Sequence, residues 1–145
     1  MKIDRIESFL IGNSYVIRIH TDNGLSGVGQ SACWGYPEAV QSIVGVFADY
    51  LTGQDPLRIE HHWQHLYRMG PFRGSALAGA ISAVDIALWD IKGKHFQAPV
   101  WELLGGRCRD RIRLHLMAGG STPETMAQTA KAAVEEGFTA LKFDP

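Results

Sequence analysis

The sequence predicts an α+β protein: a three-stranded antiparallel sheet, then helices, then a β-α-β unit. Three observations predict it. Apolar residues alternate at a period of two in the early part of the chain, where an Asn-Gly pair interrupts them. From Pro37 onward the apolar period becomes helical. After Pro99 the pattern resets to strand, helix, strand.

The sheet comes first. Ile3, Ile6, Phe9 and Leu10 lie in an apolar-rich run broken by Gly12-Asn13. Beyond it Tyr15, Ile17 and Ile19 fall on one face of a strand, with Arg18 and His20 on the other. Thr21-Asp22-Asn23-Gly24 is a hairpin signal, because Asn and Gly both tolerate positive φ. Leu25-Ser26-Gly27-Val28-Gly29-Gln30 then returns as the partner strand. The glycines of this run do not follow the GxGxxG order of a phosphate loop, and no helix follows them directly. They are assigned to the hairpin and to strand packing.

Three helices are expected next. Pro37-Glu38 suits a first turn, and Val40, Ile43, Val44, Phe47 and Leu51 recur at three- and four-residue spacing until Gly53. Asp55-Pro56 is read as the N-cap and first position of a second helix. Its apolar stripe is Leu57, Trp63, Leu66 and Tyr67, and Gly70-Pro71 stops it. A third helix is expected over 75–92, built from Ala76, Ala78, Ala80, Ala83, Val84, Ala87, Leu88 and Ile91. Small residues around most of its circumference imply close packing on several sides.

Pro99-Val100-Trp101-Glu102-Leu103-Leu104 makes a short apolar turn ended by Gly105-Gly106. Ile112, Leu114 and Leu116 alternate as a strand. Ser121-Thr122-Pro123-Glu124 reads as a capping box, and a helix through Met126, Ala130, Ala133 and Val134 stops at Gly137. A second strand follows from Phe138, and the helical crossover is long enough to make the two strands parallel. A lone β-α-β unit leaves sheet edges uncovered, so these residues are expected to begin a larger α/β domain.

Composition narrows the function classes. The 145 residues carry 14 Lys+Arg and 15 Asp+Glu, a net charge of −1, and 46% are hydrophobic. A chain of this length buries about 70% of its unfolded surface, enough for one core. Near-neutral charge gives no electrostatic reason to expect nucleic acid as a partner. No apolar run reaches the length of a membrane span, and no signal-peptide core is visible at the first residues. Cys33 and Cys108 lack disulfide or zinc spacing, which fits a reducing cytoplasm.

The stretch Ala80-Ile81-Ser82-Ala83-Val84-Asp85-Ile86-Ala87-Leu88-Trp89-Asp90-Ile91-Lys92-Gly93 resembles the signature of the mandelate racemase/muconate lactonizing enzyme branch of the enolase superfamily. The flanks agree: an N-terminal Lys-Ile strand, the Asp-Asn-Gly hairpin with Gly27-Val28-Gly29-Gln30, and Pro99-Val100-Trp101-Glu102-Leu103-Leu104-Gly105-Gly106. The resemblance covers nearly the whole chain. It implies a capping domain over residues 1–110, then the first β-α-β of a (β/α) TIM-like barrel over 111–145, truncated there. Such a barrel needs about 250 residues.

The resemblance also implies chemistry. Members of the family bind a carboxylate-bearing small molecule on Mg2+, remove the proton α to the carboxylate, and stabilise the resulting enediolate with the metal. The metal ligands and the His base are expected beyond residue 145, so these residues alone are expected to be inactive. The family's second barrel strand often ends in Lys-x-Lys; the matching residues here are Lys142-Phe143-Asp144. With Asp144 in place of the second lysine, a two-base racemase is disfavoured and an acid-sugar dehydratase favoured. Lys142 would orient the carboxylate or a hydroxyl, and Asp144 would tune it or contact a hydroxyl; an ion pair at a strand end is the plainer alternative. Two capping loops would close the barrel mouth and bind substrate, one through Asn13 and the other through Trp34 and Tyr36. A racemase, epimerase or cycloisomerase of the same superfamily is the alternative activity, and a stand-alone binding or assembly domain the alternative class. No membrane partner is expected; a homo-oligomer is, because exposed apolar faces on the capping helices suit symmetric association.

Other groups are assigned to structure. His61 and His65 are four apart on one helix face, but no Glu follows His61 and no third ligand is near in sequence, so with His62 they are read as an exposed or interface face. Asp85 and Asp90 are five apart on a helix, roughly 500° of turn, and point apart. Each is expected to pair with Arg73 or with an arginine of 107–113, a run read as a solvated junction. Cys33 has no activating base beside it in sequence and is a weak nucleophile candidate.

Overall fold

The computed structural model describes all residues except Ala32, Trp34, Phe72, Asp144 and Pro145. The elements are β1 (Ile3–Ile11), β2 (Ser14–Thr21), β3 (Ser26–Ser31), α1 (Pro37–Leu51), α2 (Ile59–Arg68), α3 (Ser75–Phe96), α4 (Val100–Leu103), β4 (Leu116–Met117), α5 (Pro123–Glu135) and β5 (Leu141–Lys142). They divide into two compact units, Met1–Gly106 and Arg107–Pro145.

In the first unit the strands form an antiparallel meander in the order β1-β2-β3. Tyr15, Ile17 and Ile19 are fully buried on one face of β2, as the alternation predicts. Helix α3 lies on β3 and β2, with α1 and α2 against it. Val40, Val44, Phe47 and Leu51 from α1 and Ala80, Ala83, Val84, Ala87, Leu88 and Ile91 from α3 complete the core. Burying a side chain the size of Leu or Phe contributes about 1.5–3 kcal/mol, so this cluster is the main source of stability.

Residues without side chains allow a close approach between β3 and α3. A Cβ at Gly27 would lie 2.0 Å from the Ala87 carbonyl oxygen, and one at Gly29 would lie 1.8 Å from that of Ala83. Backbone therefore rests directly on backbone between β3 and α3. Asp90 seals the free edge of β3: its Oδ2 accepts from the Val28 N–H at 2.9 Å and from Lys94 Nζ at 2.8 Å. Lys94 Nζ also donates to the Ser26 carbonyl at 2.7 Å. An exposed strand edge is a pairing hazard, and here two α3 side chains occupy it.

Several expectations need correction. Helix α2 begins at Ile59, not at Asp55-Pro56, because the Asp55 carboxylate accepts from the Leu57 N–H at 2.9 Å and the Asp55 carbonyl from the Arg58 N–H. Those bonds close a turn, and Asx turns compete with helix initiation. The buried face of α2 is Ile59, His62 and Leu66, whereas Trp63 and Tyr67 of the expected stripe are 36% and 38% exposed and stack on each other at 5.0 Å. His62 is thus a core residue. Helix α3 runs four residues past Lys92, to Phe96, where Gln97 adopts φ 53° and its N–H caps the Gly93 and Lys94 carbonyls. Asp90 pairs with Lys94 on its own helix, and Arg73 donates to the Gly70 and Pro71 carbonyls. Asp85 makes no ion pair among the described residues.

The second unit is a parallel β-α-β arrangement, with Leu116 opposite Leu141 and Met117 opposite Lys142. Residues 112–115 of the expected first strand lie outside any strand, so only Leu116–Met117 forms a ladder. The capping box is made by Thr122 and Thr125, whose side chains each accept from the other's backbone N–H; Pro123 follows the cap, and neither Ser121 nor Glu124 takes part. Gly137 ends the crossover at φ 97°, as expected.

Candidate functional site

Two loops meet at one end of the first unit's sheet. Ile11 pairs with Ser14, so only Gly12 and Asn13 turn the chain between β1 and β2. Gly12 takes φ 58° and both residues are exposed. Tyr15 pairs with Ser31, which sends the chain out of β3 at the same end of the sheet as this turn. Gln30 Nε2 donates to Ser14 Oγ at 3.1 Å, linking the base of the turn to β3. The Cys33 N–H donates to Ser31 Oγ, and Cys33 is half-buried. Gly35 then takes φ 84°, and Tyr36 stands at the N-cap position of α1 ahead of Pro37, 68% exposed. Asn13 and Tyr36 are therefore presented to solvent by loops at one sheet end, while Trp34 lies outside the described residues.

In the second unit Lys142 ends β5, and its carbonyl accepts from the Ala118 N–H at 2.9 Å. Because β4 and β5 are parallel, Lys142 shares their carboxyl end with Gly119-Gly120 and the start of α5. Gly120 is held against α5, since a Cβ there would lie 2.4 Å from the Met126 nitrogen. Asp144 lies outside the described residues. Arg113 caps the opposite end, its Nε donating to Thr139 Oγ1 at 2.9 Å.

Among the described residues no group of three or more His, Cys, Asp or Glu side chains could hold a metal ion. A Mg2+ site therefore does not fit the described residues. His62, whose ring is bonded through both nitrogens, is structural. His62 Nε2 faces the Asp55 carbonyl at 2.8 Å, which can only accept, so that nitrogen carries the proton and Nδ1 accepts from the Tyr50 hydroxyl at 2.9 Å. Burial holds the His62 pKa below the usual histidine value and pushes the Tyr50 hydroxyl up. No sequence signal separated His62 from His61 and His65, since all three share one short run.

Asp85 faces the contact between α2 and α3, beside Trp63 and Leu66. Burial, reinforced by the Glu60 carboxylate, raises its pKa above the ordinary 3.8. The folded chain thus holds this proton more tightly than the unfolded chain, so Asp85's contribution is greatest in acid and is lost as pH rises through the folded value. Asp85→Asn is expected to raise the melting temperature at pH 7, with the difference closing toward pH 4. Thermal melts across that range check it.

The fold and its loops define a capping domain of the enolase-superfamily kind, joined to a parallel β-α-β unit. Residues 11–105 match the mandelate racemase/muconate lactonizing enzyme N-terminal domain, and the chain belongs to that family. It is 42% identical to a D-galactonate dehydratase of Verminephrobacter eiseniae, across 99% of this chain and 38% of that protein. A D-galactonate dehydratase of Variovorax paradoxus is 40% identical over the same shares. Among solved structures, an enolase from Pantoea ananatis with bound D-gluconate and Mg superposes with a TM-score of 0.88 at 36% identity, covering 99% of this chain and 36% of that one. The chain thus spans about two fifths of the length of these relatives. Among the described residues no helix is long and apolar enough to cross a membrane.

Proposed function

We propose that this chain is the capping domain and first barrel segment of an acid-sugar dehydratase that depends on Mg2+. The capping domain would span residues 1–110 and the barrel segment residues 111–145. The observation that carries the reading is the 42% identity, over almost all of this chain, to a D-galactonate dehydratase. A structural relative holding D-gluconate and Mg supports both the substrate class and the metal. The metal ligands and the general base would lie outside these 145 residues.

In the proposed reaction the carbon α to the carboxylate loses its proton to a base. The adjacent β-hydroxyl leaves as water, and the enol formed becomes a 2-keto-3-deoxy acid. Lys142 would bind the substrate carboxylate or a hydroxyl from the carboxyl end of β5, where (β/α) active sites are built. Asp144, two residues on, would tune Lys142 or accept from a substrate hydroxyl. Asn13 and Tyr36, exposed at one sheet end, and Trp34 would cover the polyhydroxy chain; aromatic rings exclude water and stack on sugar carbons.

The test is incubation of the complete protein with D-galactonate or D-gluconate in D2O. The expected result is a 2-keto acid formed with loss of water, in a reaction abolished by a chelator and restored by Mg2+. Deuterium entering the α-carbon of unchanged substrate without dehydration would identify an isomerase instead. In the same protein Lys142→Ala is expected to lower kcat at least about tenfold, or about 1.4 kcal/mol, with the circular-dichroism spectrum unchanged. Wild-type rates in that variant would remove Lys142 from the site.

A further inference from the structure

Strand β3 meets α3 along a regular seam. The buried positions of the strand are Gly27, Gly29 and Ser31, and facing them on α3 are Ala87, Ala83 and Gly79, four residues apart. Alternate residues of a strand share one face, as do residues four apart on a helix. At the first two steps the strand supplies the glycine, and its backbone lies against the Ala87 and Ala83 carbonyls. At the third step the glycine passes to the helix. A Cβ at Gly79 would lie 2.6 Å from Ser31 Oγ, 3.2 Å from Cys33 Cβ and 3.7 Å from Val40 Cγ2. Glycine is unfavourable inside a helix relative to alanine, so what Gly79 supplies is room for the Ser31 hydroxyl and the Cys33 side chain. Ser31 is 2% exposed, and its Oγ accepts from the Cys33 N–H at 3.3 Å. A third strand glycine would have continued the seam; the serine continues it with an acceptor aimed at the loop after β3.

We propose that Ser31, seated against Gly79, is the positioning residue of the second capping loop. Its hydroxyl fixes the loop at Cys33, and the buried Pro37 fixes it where α1 begins. Residues 34–36, with Tyr36 among them, thus lie between two held points. The proposal rests on the dehydratase reading, in which this loop covers an acid sugar. Ser31 touches no substrate and acts through the loop. A loop anchored before substrate arrives spares binding the cost of ordering it. Losing the anchor therefore weakens substrate binding and leaves the chemical step, carried out by other groups, largely intact.

The test uses the complete protein with Ser31→Ala, Gly79→Ala and both together, each verified as folded by circular dichroism. Two readouts are taken: steady-state kinetics on D-galactonate or D-gluconate, and the rate at which iodoacetamide alkylates Cys33, followed by peptide mass spectrometry. Cys33 is half-buried, and the exposed Cys108 supplies the reference rate. Ser31→Ala is expected to raise KM at least about fivefold with kcat within about twofold of wild type. Cys33 should alkylate several-fold faster, and Cys108 at its wild-type rate. Gly79→Ala drives a methyl against the hydroxyl and should have the same two effects. In the double variant that methyl fills the space the hydroxyl leaves, so the effects should not add. Unchanged Cys33 alkylation in both single variants, or faster alkylation with an unchanged KM, would overturn the proposal. A complete protein that dehydrates no acid sugar would instead remove the functional reading, while Cys33 alkylation still decides whether Ser31 anchors the loop.

Discussion

Gly29→Ala is expected to unfold the first unit or leave it barely stable. The new methyl would sit 1.8 Å from the Ala83 carbonyl oxygen and 2.9 Å from the Ala87 nitrogen. Both are main-chain atoms of a buried helix, so no side chain can swing aside to make room. Relief requires β3 and α3 to separate, which would strain the Asp90 bond to the Val28 N–H and loosen the contact with Tyr15, Ile17 and Ile19. Overpacking costs typically 1–3 kcal/mol and occasionally more. A backbone-on-backbone clash belongs at the upper end, and a loss of about 3 kcal/mol corresponds to a melting shift of roughly 12–24 °C in a domain of this size. Gly27→Ala, facing the Ala87 carbonyl at 2.0 Å, should behave alike. Gly45→Ala in the middle of α1, with nothing within 4 Å of its Cβ, should instead stabilise by about 0.5–1 kcal/mol. Equal melting temperatures for Gly29→Ala and wild type would show that the close approach is not obligatory.

His62→Phe is the second large loss. It removes the acceptor of the half-buried Tyr50 hydroxyl and one of the two donors to the Asp55 carbonyl, which keeps the Arg58 N–H. An unsatisfied buried polar group costs about 1–3 kcal/mol, so the Tyr50 hydroxyl left behind should cost about that much in denaturant titration. The pH profile gives a separate signature. The folded pKa of His62 lies below the unfolded 6.5, so the unfolded chain takes up the proton first on acidification. Stability is therefore full above pH 6.5 and falls as the pH drops toward the folded value. In His62→Phe that part of the pH dependence should be missing. A variant with wild-type slope between pH 6.5 and 5 would place the titration elsewhere.

The candidate site was legible only in part. Asn13 and Tyr36 were picked through the two capping loops that the family resemblance implies, and both are exposed on loops at one sheet end. That shared end follows from strand register, which local sequence does not encode. Lys142 was found through a family motif, and its place at the carboxyl end of a parallel pair depends on Leu116 and Leu141 meeting across a 13-residue helix. The reading of His62 as part of an exposed or interface face failed because periodicity treats histidine as polar. Its burial depends on Tyr50 and on the Asp55 carbonyl, twelve and seven positions away.

By itself the amino-acid order determined the β2 alternation, the apolar face of α1 and the succession of sheet, helices and β-α-β unit. Each of these rests on interactions within a few residues, where period and turn chemistry are decisive. The tertiary structure alone decided which face of α2 is buried, that α2 starts at Ile59, how far the strand after Arg111 is paired, and which α3 carbonyls meet Gly27 and Gly29. Those outcomes turn on partners remote in the chain. Burial of a polar side chain, or of a bare backbone, is favourable only where a distant group supplies the matching bond or surface.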